Sequence, residues 1–223
     1  MKHNKAVIFG ATGLVGNALL QLVLNDSFFN HIIVATRAPI SFKHQKMTVC
    51  HIDFSNFEEI EKCIKESSVV FSAIGTTQQK VQGDKKKYRK IDFDITYNIG
   101  RACKNNNIEK FLFVSTSGAD ASSASFYLKL KGEIEDSVCS LNLNSLTIFQ
   151  PSLLLGERSE FRFWEKIAQI IMPLFSFFLP ANIKPISSQS VSQVMVHFAK
   201  MKNKGNNIIK NREQLMISKK VNL

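Results

Sequence analysis

Near the amino terminus, residues 5–16 read KAVIFGATGLVG, and few folds accommodate a strand, a glycine turn and a helix start pressed so closely together. Ala6, Val7, Ile8 and Phe9 make an unbroken apolar run, as expected of a strand buried on both faces. Gly10, Gly13 and Gly16 follow, and Val15, Leu19, Leu22 and Val23 then recur at helical spacing. Glycine at the first position permits a sharp turn off the strand, at the second a close approach of backbone to a pyrophosphate, and at the third a tight seat of helix on sheet. The free amides of the first helical turn, backed by the positive end of the helix dipole, would face the phosphates. A tight strand-to-helix turn needs glycine with or without a ligand. The buried strand before it and the amphipathic helix after it favour a dinucleotide site, with Gly10, Ala11, Thr12, Gly13, Leu14, Val15 and Gly16 as its cofactor-binding residues.

The pattern then repeats in strand and helix alternation. A second buried strand over residues 31–36 ends at Thr36 and Arg37, the place where an acidic residue would bond the ribose 2′-hydroxyl of NAD. Arginine there suits a 2′-phosphate and favours NADP(H) over NAD(H); the alternative is a surface arginine with no ligand. A third strand, 47–52, ends at Asp53 and Phe54, which would border the adenine pocket, although Asp53 also fits simple turn chemistry. Ser55 to Glu58 has the form of a capping box for a helix that carries Ile60 and Ile64 inward. A fourth strand over 69–74 closes on Ala73, Ile74, Gly75, Thr76 and Thr77, small enough for a cofactor to lie against the backbone. Residues 80–90, KVQGDKKKYRK, read as a solvated basic connection or as a lid over an anionic ligand. The next helix presents Ile91, Ile95, Ile99 and Cys103 on one face and stops at the asparagines 105–107.

The fifth strand, 111–114, runs into Ser115, Thr116, Ser117 and Gly118, and the helix after it contains Tyr127 and Lys131. Residues four apart share a helical face, so both side chains project toward the hydroxyls at the strand end. Lys131 would lower the phenol pKa from about 10 and hold the nicotinamide ribose. Tyr127 would protonate a carbonyl oxygen as hydride arrives, with Ser115 or Thr116 polarising that oxygen. Such a pair is a weak motif by itself, but neither Tyr88 nor Tyr97 has a lysine at this spacing.

Taken together, GATGLVG, Thr36-Arg37, AIGTT, VSTSGAD, YLKLKGE and FQPSLLLGER resemble an atypical short-chain dehydrogenase/reductase, with the Tat-interacting oxidoreductase-like branch and its bacterial relatives the most similar. The resemblance runs along nearly the whole chain. It implies an NADP(H)-binding Rossmann fold with Ser115, Tyr127 and Lys131 at the catalytic positions. Where that branch has arginine, proline and glycine after strand six, this chain has Gln150, Pro151 and Ser152, so the wall beside the nicotinamide keeps Pro151 as a cofactor contact and loses an arginine.

Composition bounds the rest. The 223 residues are expected to form a single doubly wound α/β domain around a parallel sheet, with residues 152–223 adding a small substrate-side cap. Four dispersed cysteines and five dispersed histidines show neither a disulfide framework nor metal-ligand spacing, and the glycine-broken start is not read as a secretion signal, so a reducing cytoplasm is expected. The net charge of +11 comes mostly from scattered lysines, which argues for a basic surface and against a nucleic-acid partner. Residues 160–179 are densely apolar but interrupted by Pro173, too short to span a bilayer. They would roof the substrate cleft or, on a second reading, form a surface for a partner or for weak membrane association. Residues 190–193 read as the capped start of a helix bearing Val194, Phe198 and Met201, and the tail as a short strand and a final helix. The expected function is reduction of a small carbonyl compound by a monomer or homodimer, the alternative an NADP(H)-binding regulatory or assembly protein with little catalysis.

Overall fold

In the computed structural model, which describes residues 4–77, 79–155 and 184–221, seven strands form one wholly parallel sheet. They are β1 (Lys5–Phe9), β2 (His31–Thr36), β3 (Met47–His51), β4 (Val69–Ser72), β5 (Lys110–Val114), β6 (Ser145–Gln150) and β9 (Gly205–Lys210), in the order β3-β2-β1-β4-β5-β6-β9. A separate parallel pair joins β7 (Leu154–Leu155) to β8 (Ile186–Ser187). The chain leaves β1 toward β2 on one side and later returns to place β4 on the other, so the direction of winding reverses between β1 and β4. That reversal opens a crevice beyond the carboxyl ends of the two strands, where sheets of this type bind ligands.

Each central strand feeds two cores because successive side chains point to opposite faces. Val7 and Phe9 of β1 pack with Ile60 of α2 (Phe57–Ile64), Ile99 of α4 (Ile95–Asn105) and Ile134 of α5 (Phe126–Cys139). Ala6 and Ile8 face the other way, toward Leu19 of α1 (Leu14–Asn25) and Val191 and Val194 of α6 (Ser188–Lys200). Both sides of the sheet are therefore covered, as the unbroken apolar runs require. The sheet edge strand β9 leads into α7 (Asn211–Val221), so much of the segment expected to cap the substrate is instead part of the sheet and its helical cover.

Several local expectations shift. The cap of α2 is Asn56, whose side chain accepts from the amides of Glu58 and Glu59, with Glu59 as its reciprocal partner; the Ser55 to Glu58 reading is one residue early. α6 begins at Ser188, and Ser187 accepts the Ser190 amide, so residues 190–193 lie inside the helix while Met201 falls beyond it, exposed. Residues 80–90 are not simply a solvated connection. Asp84 caps the short helix α3 (Lys85–Arg89), Tyr88 is buried, and a π-turn at Lys90–Asp94 then runs into α4. The apolar run 160–179 lies outside the described residues.

Candidate cofactor and active site

The crevice at the sheet reversal is a cleft of about 1190 Å³. One end is formed by Gly10, Ala11, Thr12, Gly13, Leu14 and Val15. Gly10 has φ +81°, and a Cβ on it would stand 2.7 Å from the carbonyl oxygen of Ala73, so glycine alone lets β1 and β4 approach here. The Gly13 amide donates to the Gly10 carbonyl at 2.9 Å and closes the turn. α1 then starts with no side-chain cap and no acidic residue in its first turn. Its leading amides are thus free of side-chain acceptors and offer themselves to an anion. Gly16 does not line the cleft. A Cβ there would be 2.0 Å from the Gly10 carbonyl oxygen, so its role is to seat the helix on the turn. From the opposite side, the buried hydroxyl of Ser192 on α6 donates to the carbonyl of Val15 at 3.0 Å and braces the same turn.

Thr36, Arg37 and Phe54 border the cleft beside the glycine turn. The Thr36 hydroxyl closes a turn on Ala38, donating to its carbonyl at 2.9 Å and accepting from its amide at 3.2 Å. That turn presents Arg37 at the surface, with its guanidinium 5.5 Å from the centre of the buried Phe54 ring. Asp53 does not reach the cleft, which corrects its assignment to the adenine pocket. Its carboxylate accepts from the Ser55 amide at 2.9 Å and hydroxyl at 2.7 Å, and these bonds, with Arg37 in the background, hold its pKa below the usual carboxylate range. The turn chemistry therefore accounts for Asp53. Ala73, Ile74, Gly75 and Thr76 form the floor, as their small size suggested.

At the far end Ser115, Thr116, Tyr127, Lys131 and Pro151 converge. α5 can bring its two residues here because of Gly132, whose Cβ would lie 2.1 Å from the Ala121 nitrogen; only glycine lets the helix rest on the loop after β5. Tyr88 packs against the Tyr127 ring. Its hydroxyl donates to the Thr76 carbonyl at 2.9 Å, and its ring meets that of Tyr127 edge-on at 6.3 Å. Lys131 is buried, with its Nζ 2.8 Å from Oδ2 of Asp92, which is 1% exposed and whose other oxygen accepts the Thr76 amide at 2.8 Å. Burial alone would lower the lysine pKa, but Asp92 and then Tyr127 outweigh it and the net shift is upward. Lys131 is thus held charged by a partner that also shares its field.

The Ser115 hydroxyl donates to the buried carboxyl of Glu135. Glu135 also accepts from the Gln150 amide at 3.1 and 2.9 Å. Burial raises the Glu135 pKa against the lowering effect of those two donors. Thr116 lies half-buried on the cleft wall. Neither Asp92 nor Glu135 was anticipated. For Glu135 a signal existed, since it continues the Tyr127 and Lys131 face by one more turn; for Asp92 there was none, because its partner lies on a different helix.

These residues fit a dinucleotide. The cleft joins an uncapped helix start, a glycine at positive φ where backbone must pass backbone, and a buried cation in its lining. Similarity to known proteins agrees. A family described as NAD(P)H-binding matches residues 10–160. "Protein FMP52, mitochondrial" of Candida albicans is 36% identical over 198 residues, covering 86% of each chain. "Protein HTATIP2" of Rattus norvegicus is 29% identical over 172 residues, 76% of this chain and 70% of that one. Among solved structures, MoeE5 in complex with UDP-glucose and NAD superposes with a TM-score of 0.73 at 13% identity, covering 97% of this chain and 81% of the other, a likeness of fold alone. The expectation of a cytoplasmic location is overturned by the FMP52 relatives, which are named as mitochondrial proteins. Dispersed free cysteines suit any reducing compartment and never distinguished between them.

Proposed function

The chain belongs to the NAD(P)H-binding atypical short-chain dehydrogenase/reductase family, and from that premise we propose that it is an NADP(H)-dependent reductase of a small carbonyl compound. One observation carries the reading: Tyr127, Lys131 and the hydroxyls at the end of β5 meet in the same cleft as the glycine turn. The amides at the start of α1 would hold the pyrophosphate, and Arg37 the 2′-phosphate. Lys131 would bond the ribose beside the nicotinamide. When bound, the cofactor would supply the hydride that the carbonyl carbon accepts. Tyr127 gives its phenolic proton to the carbonyl oxygen and is reprotonated from water, while a Ser115 or Thr116 hydroxyl hydrogen-bonds that oxygen. The mitochondrion is the proposed compartment, on the names of the fungal relatives.

Tyr127→Phe tests this, since it keeps the ring against Tyr88 and removes only the acid. Turnover should fall by roughly 10² to 10⁴, the worth of a general acid, with NADPH affinity unchanged. Equal turnover in the variant would remove the proton-donor role. A second reading, an NADP(H)-binding regulatory or assembly protein, draws support from the engagement of the Ser115 proton by Glu135 and of the Lys131 charge by Asp92. NADPH binding without turnover of any member of an aldehyde, ketone and quinone panel would favour it.

A further inference from the structure

Behind the Ser115 hydroxyl lies a carboxyl group for which hydride transfer has no stated use. Glu135 is 6% exposed and follows Lys131 by four residues, so Tyr127, Lys131 and Glu135 share one face of α5. Its Oε1 receives the Ser115 hydroxyl proton and one Gln150 amide contact at 3.1 Å, and its Oε2 receives the other at 2.9 Å. A hydroxyl has one proton to donate. While Glu135 is ionised, that proton is spent on the carboxylate, and Ser115 turns only lone pairs toward the cleft. A carbonyl oxygen, itself an acceptor, then finds no donor at this position. Once Glu135 is protonated, its own O–H can donate to Ser115 Oγ, and the serine proton is released toward the substrate oxygen.

We propose that Glu135 is a positioning residue whose protonation sets the direction of the Ser115 hydrogen bond and so makes carbonyl reduction acid-activated. The proposal rests on the reductase reading. The surroundings of the carboxyl make such a switch accessible. From β5 and β6 it meets only the neutral donors Ser115 and Gln150. On its own helix it faces Lys131, Asp136, Cys139 and, two turns back, Tyr127, while Asp92 from the π-turn engages Lys131. Burial pushes its pKa up, ahead of the lowering hydrogen bonds of Ser115 and Gln150; Asp136 adds to the rise and Lys131 opposes it. A cation in place of Gln150 would hold the carboxyl ionised instead.

Two measurements test the inference, and they fail separately. Infrared difference titration of the purified protein follows the carboxyl band that Glu135→Gln deletes. That band should titrate above the ordinary glutamate value of about 4.3, and Gln150→Arg should move it downward. A band titrating at or below the ordinary value overturns the proposal whatever the activity. Next, kcat with NADPH and a carbonyl substrate is read against pH. In wild type it should fall about tenfold to a hundredfold as pH rises through the infrared pKa, with the KM for NADPH flat. Glu135→Gln cannot titrate, so that limb should vanish whichever way its amide faces. Ser115→Ala should lose the same limb, its rate no longer rising toward acid pH, which keeps the test open if the Glu135 variant folds poorly. A wild-type limb retained in both variants refutes the role of Glu135. A raised infrared pKa with no turnover of the carbonyl panel refutes the reductase reading on which the proposal rests.

Discussion

Asp92→Asn takes one negative charge out of the centre of the molecule while preserving shape and leaving an oxygen for the Thr76 amide. The wild-type contact is Lys131 Nζ to Asp92 Oδ2 at 2.8 Å, with the two side chains 9% and 1% exposed. Removing one member of such a buried pair strands the other charge and costs about 3–5 kcal/mol, far more than a surface pair would. In a chain of this size each kcal/mol moves Tm by about 2–4 °C, so the variant should melt roughly 6–20 °C lower. The pH dependence has a definite sign. In wild type the folded pKa of Lys131 lies above its unfolded value, so the pair contributes fully below about pH 10 and its contribution is lost as pH rises through the folded pKa. In Asp92→Asn burial, the largest single influence, loses its strongest opponent while Tyr127 and Glu135 remain, so the folded pKa falls from its wild-type value and the stabilisation present below it shrinks. The gap between the two proteins should therefore be widest near neutrality and narrow toward alkaline pH. Urea titrations from neutral to alkaline pH measure this directly. Lys131→Met should be comparably destabilised, and the double variant should recover much of the loss because neither charge is then stranded. A near-neutral Asp92→Asn, or single losses that simply add in the double variant, would refute the buried-pair argument.

Arg37→Ala should erase most of a preference for NADPH over NADH. A charge-assisted contact to the 2′-phosphate is worth about 1.5–3 kcal/mol, or tenfold to somewhat over a hundredfold in Kd, and equal wild-type affinities by calorimetry would contradict the assignment. Gly132→Ala should destabilise the protein by about 1–3 kcal/mol or more and cut turnover, because its Cβ would meet backbone at 2.1 Å and force α5, with Tyr127 and Lys131, off the loop at residues 120–121. Circular dichroism melts and kcat measure both effects, and a variant unchanged in both would show that the helix position is not set there.

Features legible in the sequence are those whose physics is local. A strand buried on both faces must be continuously apolar, a turn at positive φ must have glycine, and residues four apart on a helix must share a face. Hence residues 5–16 announced β1, Gly10 and α1, and Tyr127 with Lys131 could be placed on one side of α5 before any coordinates. Local reasoning weakened where several neighbours offered the same chemistry. Asp53, Ser55 and Asn56 can each accept a backbone amide, and the cap fell to Asn56 while Asp53, expected in the adenine pocket, turned back onto Ser55. Likewise the charged run 80–90 read as a solvated connection or a lid because its lysines outnumber Val81 and Tyr88, the two residues buried in the core there.

Tertiary structure alone decided which charges lie together. Asp92 had no sequence signal toward Lys131, since a buried ion pair forms between helices that only the completed sheet brings into contact, and its strength comes from the water the fold excludes. The same holds for Glu135, Ser115 and Gln150, which come from a helix and two strand ends; the sequence marked Gln150 only as an arginine missing, while the fold gave its amide to the carboxyl behind the serine. The sequence by itself determined a parallel sheet with a phosphate-facing turn and a tyrosine–lysine helix. Folding determined the protonation partners of that helix, because burial and distance, which set pKa and hydrogen-bond direction, exist only in three dimensions.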